Sequence, residues 1–253
     1  MNEHLKEEGK YKYIETTPGK PVLLLLHGLF GALSNFKGII AEFSNDYNIV
    51  TPILPIIEMP LKSVGLKGLV GYIETFVDYK GFDDMHLLGN SLGGHLAQLY
   101  TLANADKVKS ITLTGSSGLF ENAMGNSFPK RGDYDFIRKK TESVFYNPET
   151  ATKELVDEVF DTVNDRSKAI RVVITAKSAV RNNLEDKIHA IKVPTLLIWG
   201  AQDDITPPFV AEKFHELIPN TRLEFIDKCG HAPMMERPQE FNRILREFLS
   251  KLP

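Results

Sequence analysis

The sequence predicts an α/β fold: a mostly parallel central sheet with helices on both faces, interrupted by an inserted α-helical cap. Three observations carry that reading. Apolar runs and amphipathic helical stretches alternate through residues 1–116, as in a sheet whose strands are joined by helices. The alternation stops over 117–191, about seventy-five residues in which only helical periodicity is found. It resumes over 192–253. The core is therefore expected to be 1–116 with 192–253. The insert, too long for a structureless loop, is expected to form a cap that serves as a lid or binding surface.

The elements follow in order. "KYKYIETT" alternates and meets the turn signal "PGKP", which reads as a short hairpin. "VLLLLHG" (22–28) is an unbroken apolar run, the pattern of a strand covered on both faces. "LSNFKGIIAEFS" (33–44) has helical spacing, "YNIVTPIL" (47–54) reads as strand, and 64–81 as helix. "MHLLG" is the next strand, "SLGGHLAQLYTLANA" a helix, and "VKSITLTGS" (108–116) a further strand. The insert holds three amphipathic patterns, "DYDFIRKKTESVFY", "TATKELVDEVFDTV" and "DRSKAIRVVITAKSAVRN", with "NPET" (147–150) as a helix start. "PTLLIWG" (194–200), "PFVAEKFHELI", "RLEFID" (222–227) and "PQEFNRILREFLSKL" restore the strand–helix rhythm.

Composition narrows the function classes. The chain has 253 residues, 42% hydrophobic and 25% charged, the balance of a globular protein with a real core. A net charge of −3 offers no basic excess for nucleic acid. The single cysteine, Cys229, excludes an intrachain disulfide and fits a reducing compartment. The polar N-terminus lacks the apolar core of a signal peptide, and the most apolar run, "VLLLLHGLF", is too short to span a bilayer. A cytoplasmic protein without membrane or nucleic-acid partners is expected, as a monomer or homodimer. No His, Cys and carboxylate cluster has metal spacing. The glycines of "GNSLGG" match neither a phosphate loop nor a dinucleotide motif, so no metal or cofactor is expected.

The chemistry is carried by "DMHLLGNSLGGHL" (84–96), where a strand gives way to a helix. The spacing Gly89-x-Ser91-x-Gly93 suits a very tight turn that lifts a serine hydroxyl into open space. A serine becomes a nucleophile only when a base takes its proton, and the base is best a histidine oriented by a buried carboxylate. Downstream, "LLIWGAQDDITPP" offers Asp203 and Asp204 just past a strand, and "LEFIDKCGHAPMMERP" offers His231 past the next. Residues at the carboxyl ends of parallel strands converge on one edge of the sheet. Two backbone N–H groups must receive the oxyanion: Leu92, after the serine, and Leu29 in "HGLFG" (27–31), with Phe30 as the competitor. His27 reads as a support of that loop, His95 and His86 as structural, and Cys229 as a packing residue.

On "HGLFG", "GNSLGG", "WGAQDDITPP" and "CGHAPMMERPQEF" the chain resembles the α/β-hydrolase family of single-domain enzymes with a helical cap, over essentially its whole length. The resemblance implies a triad of Ser91, Asp203 and His231, with Asp203 the fifth residue of a "WGxxD" pattern. It implies hydrolysis of a small-molecule carboxylic ester through an acyl-enzyme. Asparagine before the serine also resembles carbon–carbon bond hydrolases of ring-cleavage dienoates, the second reading. A low-turnover ligand receptor on the same fold is the third. The substrate pocket is expected to be lined by Leu119, Phe120, Phe128, Phe136, Phe145 and Val172 of the insert, with Phe30 and Met234 of the core.

Overall fold

The computed structural model describes residues 5–31, 33–120 and 131–252. Its strands are β1 (Lys6–Glu8), β2 (Tyr11–Glu15), β3 (Val22–Leu26), β4 (Asn48–Pro52), β5 (Met85–Asn90), β6 (Val108–Thr114), β7 (Thr195–Gly200) and β8 (Thr221–Ile226). They form one sheet in the order β1-β2-β4-β3-β5-β6-β7-β8. The run from β4 to β8 is parallel, while β1 and β2 are antiparallel additions at one edge.

The core helices are α1 (Lys37–Phe43), α2 (Leu66–Lys80), α3 (Leu92–Ala103), α7 (Pro208–Leu217), the short α8 (Pro233–Glu236) and α9 (Pro238–Leu249). Strand alternation sorts them into two layers. Leu24 and Leu26 of β3 pack with the apolar stripes of α2, α3 and α7. Leu23 and Leu25 point the other way, into α1 and α9. Every residue of β3 is buried, which is why its sequence is uninterrupted leucine and valine. Each such side chain contributes about 1.5–3 kcal/mol of burial.

The opening hairpin differs from the sequence reading. It closes between β1 and β2, with Gly9 at a φ of +60°. The "PGKP" turn instead delivers β3, which lies one strand away, because β4 intervenes and takes the pairing with β2. A turn signal marks a reversal and does not say which neighbour the next strand will pair with.

Between β6 and β7 run α4 (Tyr134–Glu142), α5 (Lys153–Asn164) and α6 (Arg166–Arg181). Each has a side-chain N-cap. Asp133 accepts from Phe136 N at 2.9 Å, Thr152 from Leu155 N at 3.3 Å, and Asp165 from Ser167 N and Lys168 N at 2.8 and 3.0 Å. "NPET" starts only a single 3-10 turn, and α5 waits for the second cap at Thr152. Among the described residues no helix is long and apolar enough to cross a membrane.

Strand order reverses between β3 and β5: the chain leaves β3 toward β4 on one side, then returns to build β5 to β8 on the other. A crevice opens at the carboxyl ends of strands at such a switch point. The "HGLFG" loop follows β3 there, and Ser91 follows β5.

At the opposite end of β5, His86 is 7% exposed, its Nδ1 2.8 Å from Ser110 Oγ and its ring edge-on to Tyr47. Burial, with a smaller push from Lys109, pulls its pKa down to about 4. A histidine depressed in the folded state contributes stability that is complete above its unfolded pKa and is lost as pH falls from there toward the folded value. Between pH 7 and 4.5 the wild type should lose about 2–3 kcal/mol more than His86→Gln. Urea midpoints at the two pH values measure this, and equal losses in both proteins would exclude it.

Candidate active site

The turn after β5 is as tight as its glycines suggest. Ser91 has φ 56° and ψ −121°, a region that costs a non-glycine residue about 1–3 kcal/mol. Several hydrogen bonds hold it there. Ser91 N donates to Thr114 O at 3.1 Å, and Ser91 O accepts from Gly94 N, His95 N and Ser117 N at 3.0, 3.3 and 3.1 Å. The glycine spacing is steric in origin. A Cβ on Gly93 would overlap the carbonyl of Leu26 in β3. A Cβ on Gly89 would overlap the backbone of Gly93, and one on Gly94 the hydroxyl of Ser116. The helix can thus start directly over the strands, which leaves Leu92 N–H in the first turn without an intrahelical acceptor.

The loop after β3 lies beside this turn: a Cβ on Gly28 would come within 3.2 Å of Ser91 Cβ. His27 braces it. Leu54 N donates to His27 Nε2 at 2.9 Å, so the ring proton is on Nδ1, which donates to Gly28 O at 2.9 Å. Burial lowers the pKa of His27 and keeps it neutral, as that tautomer requires. Gly28 O also accepts from Gly31 N at 3.1 Å, closing a small turn around Leu29 and Phe30.

Past β7, Asp203 is 1% exposed while Asp204 is exposed. Asp203 Oδ1 accepts from Ile205 N and Thr206 N at 2.8 and 2.9 Å. Its Oδ2 accepts from Thr206 Oγ1 and from His231 Nδ1, both at 2.9 Å. That bond places the His231 proton on Nδ1 and leaves Nε2 with a free lone pair. The imidazole lies over the end of β6, where a Cβ on Gly115 would come within 2.8 Å of Nδ1. Asn90, the residue before Ser91, donates to Thr114 O at 3.0 Å and His231 O at 3.1 Å. The histidine loop is thereby tied to the strand that carries the serine.

This layout of strand ends, strained serine, paired carboxylate and histidine has counterparts in known proteins. Residues 23–244 match the model of the alpha/beta hydrolase family. The chain belongs to that family.

This alpha/beta hydrolase is 26% identical over 274 residues to monoacylglycerol lipase abhd6-B of Xenopus laevis, an alignment covering 96% of this chain and 81% of that one. It is 25% identical over 270 residues to the 2-hydroxy-6-oxononadienedioate/2-hydroxy-6-oxononatrienedioate hydrolase of Paraburkholderia phymatum, over 96% and 92% of the two chains. Among solved structures, MGS-MChE2, an alpha/beta hydrolase enzyme from the metagenome of lagoon sediments at Mar Chica, Morocco, shares 40% identity. Its TM-score is 0.81 over 98% of each chain.

The expected pocket residues of this alpha/beta hydrolase divide. Phe30 and Val172 line a cavity of about 480 Å³ together with Val163, Ala169 and Val173 of α5 and α6. Phe30 also lines a cleft of about 570 Å³ with Leu29, Gly31, Val159 and Thr162. Leu119 and Phe120 are half-buried against the core, and Phe120 meets Phe209 edge-on with ring centroids 5.4 Å apart. Phe145 and Met234 are buried in the core layer that holds α1 and α9. Phe136 is half-buried on α4. Phe128 lies outside the described residues.

Three contributors were missed from sequence. Gly115, with φ +50°, makes room for the imidazole. Thr206 holds the far side of Asp203. Glu236 bonds the backbone of the histidine loop at Gly230 and that of the insert at Tyr146. The one available signal was "ITPP", a hydroxyl residue three after the acid. Cys229 is buried, and burial with the nearby Glu236 pushes its thiol pKa far up, which suits packing and not nucleophilic attack.

Proposed function

We propose that the protein is a serine hydrolase that cleaves carboxylic esters of small apolar molecules, using Ser91, His231 and Asp203. The observation that carries this reading is the buried Asp203–His231 bond of 2.9 Å, in a loop that Asn90 ties to the strained Ser91 turn. Ser91 Oγ attacks the ester carbonyl carbon as His231 Nε2 takes its proton. The oxyanion is held by the N–H groups of Leu29 and Leu92. Collapse expels the alcohol, which leaves with the proton from Nε2, and an acyl-enzyme remains. Water then attacks, giving its proton to Nε2, and the second collapse returns that proton to Ser91 and frees the acid. Asp203 keeps the imidazole in the productive tautomer and offsets its charge while it is protonated.

Residues 117–191 act as the cap in this reading. The apolar side chains that α5 and α6 contribute beside Phe30, in a cavity that Arg131 and Arg166 also line, support an apolar acyl or alkyl group. The likeness to a monoacylglycerol lipase supports an ester substrate. The likeness to a dienedioate hydrolase, together with asparagine before the serine, supports carbon–carbon bond hydrolysis as the second reading.

The deciding experiment compares release of p-nitrophenol from acyl esters of increasing chain length with cleavage of a 2-hydroxy-6-oxodienoate. A fluorophosphonate label is mapped in parallel. Ester turnover with the label on Ser91 is expected. Dienoate cleavage at far higher kcat/KM would move the assignment to the second reading, and absence of both activities and of labelling would remove the serine-hydrolase assignment.

A further inference from the structure

Glu236 holds together two parts of the chain that sequence reading treats as separate. It stands at the end of α8, which turns its carboxylate back toward the histidine loop. Oε1 accepts from Gly230 N at 2.7 Å, with Cys229 Sγ at 3.9 Å. Oε2 accepts from Tyr146 N at 2.8 Å and Asn147 N at 3.2 Å, both in the insert between α4 and α5. The insert returns the contact, since Val144 O accepts from His231 N at 3.0 Å. The two backbones touch here: a Cβ on Gly230 would come within 2.8 Å of both Tyr146 N and Val144 O.

The backbone of His231 is therefore fixed on both sides. Its N–H is held by Val144 of the insert and its carbonyl by Asn90 of β5. Among the described residues, Val144 O is the backbone acceptor for His231 N. The position of Val144 in turn depends on what anchors residues 144–147. The buried side chain of Phe145 holds this segment from the core side, and Glu236 holds its next two backbone N–H groups while also gripping the residue before His231.

We propose that Glu236 is a positioning residue for His231, clamping insert residues 144–147 onto the histidine loop so that this corner of the insert is a fixed part of the catalytic centre. This rests on the serine-hydrolase reading above. It implies that any opening of the insert for substrate takes place away from residues 144–147. The work needs a group that accepts on both oxygens. Burial raises the carboxyl pKa of Glu236, and the backbone N–H groups of Asn147, Gly230 and Tyr146 oppose that. An amide of the same shape must turn an NH₂ toward either Gly230 N–H or the Tyr146 and Asn147 pair, so one side is lost.

Small displacements of a catalytic base are expensive: about 1 Å can cost about a hundred-fold in rate. Glu236→Gln is expected to lower kcat on a short acyl ester about ten-fold or more, with KM within about two-fold. Rates are taken per active site, counted by fluorophosphonate labelling, well below the melting temperature. Hydrogen exchange should quicken together in peptides covering 144–147 and 229–231. A purely structural role would lower Tm and leave kcat per site unchanged. That result, or exchange that quickens in only one of the two segments, overturns the proposal.

If Glu236→Gln does not fold, Glu236→Asp takes its place. It keeps the charge but is too short to reach both partners, so a smaller fall in kcat is expected and wild-type kcat overturns the proposal. A wild type inert to every ester and to the phosphonate would instead defeat the serine-hydrolase reading. The exchange experiment would still test the clamp.

Discussion

Ser91→Ala should lower kcat/KM for p-nitrophenyl esters by at least about 10⁴-fold, leaving only what oxyanion binding and substrate positioning contribute without a nucleophile. The loss is one of chemistry, because the substitution removes a single oxygen and keeps a Cβ at φ 56°. The backbone bonds that hold the turn, to Thr114, Gly94, His95 and Ser117, do not involve the hydroxyl. The melting temperature should therefore stay within a few degrees of wild type, and fluorophosphonate labelling should vanish. Stopped assays with purified, site-counted protein measure this. A variant that keeps more than about one part in a hundred of wild-type activity would mean that Ser91 is only a turn residue.

The second large effect belongs to the acid. Asp203→Asn should reduce kcat by about 10³–10⁴-fold, because an amide facing Nδ1 favours the tautomer with its proton on Nε2. Nε2 would then have no lone pair for the serine proton. The fold should survive, since an asparagine carbonyl can still accept from Ile205 N and Thr206 N as Oδ1 does now. Asp204→Asn is the matched control: Asp204 is exposed and its change should alter kcat less than about two-fold. Equal losses at both positions would refute the assignment of the acid to Asp203.

Much of the fold was legible because its causes are local. Unbroken apolar runs mark strands buried on two faces, and β3 and β5 are buried throughout. Helical periodicity marked α2, α3 and α6 to within two residues of their observed ends, and α9 to within three. Where reading went astray, the competing cause was non-local. "PGKP" is a real turn, yet β3 does not pair with β2, since strand pairing depends on where β4 later inserts. Phe145 and Met234 have the composition of pocket walls, and they lie in the core layer with α1 and α9. Hydrophobicity alone does not say which cavity a side chain fills.

Sequence by itself determined the tight serine turn, the order of serine, acid and histidine along the chain, and the division of a parallel sheet by a helical insert. These follow from spacing, from glycine's lack of a Cβ, and from periodicity, all properties of short stretches. Only the tertiary structure decided that Asp203, not its neighbour, faces His231. The "WGxxD" spacing favoured Asp203, but the bond to His231 exists only because the loop turns that residue inward and leaves Asp204 exposed. Only the tertiary structure brought Asn90 to the carbonyl of His231 and Glu236 to the insert at Tyr146, across 141 and 90 residues of chain. Such contacts are set by how the whole sheet and its insert close on one another, and no local pattern encodes them.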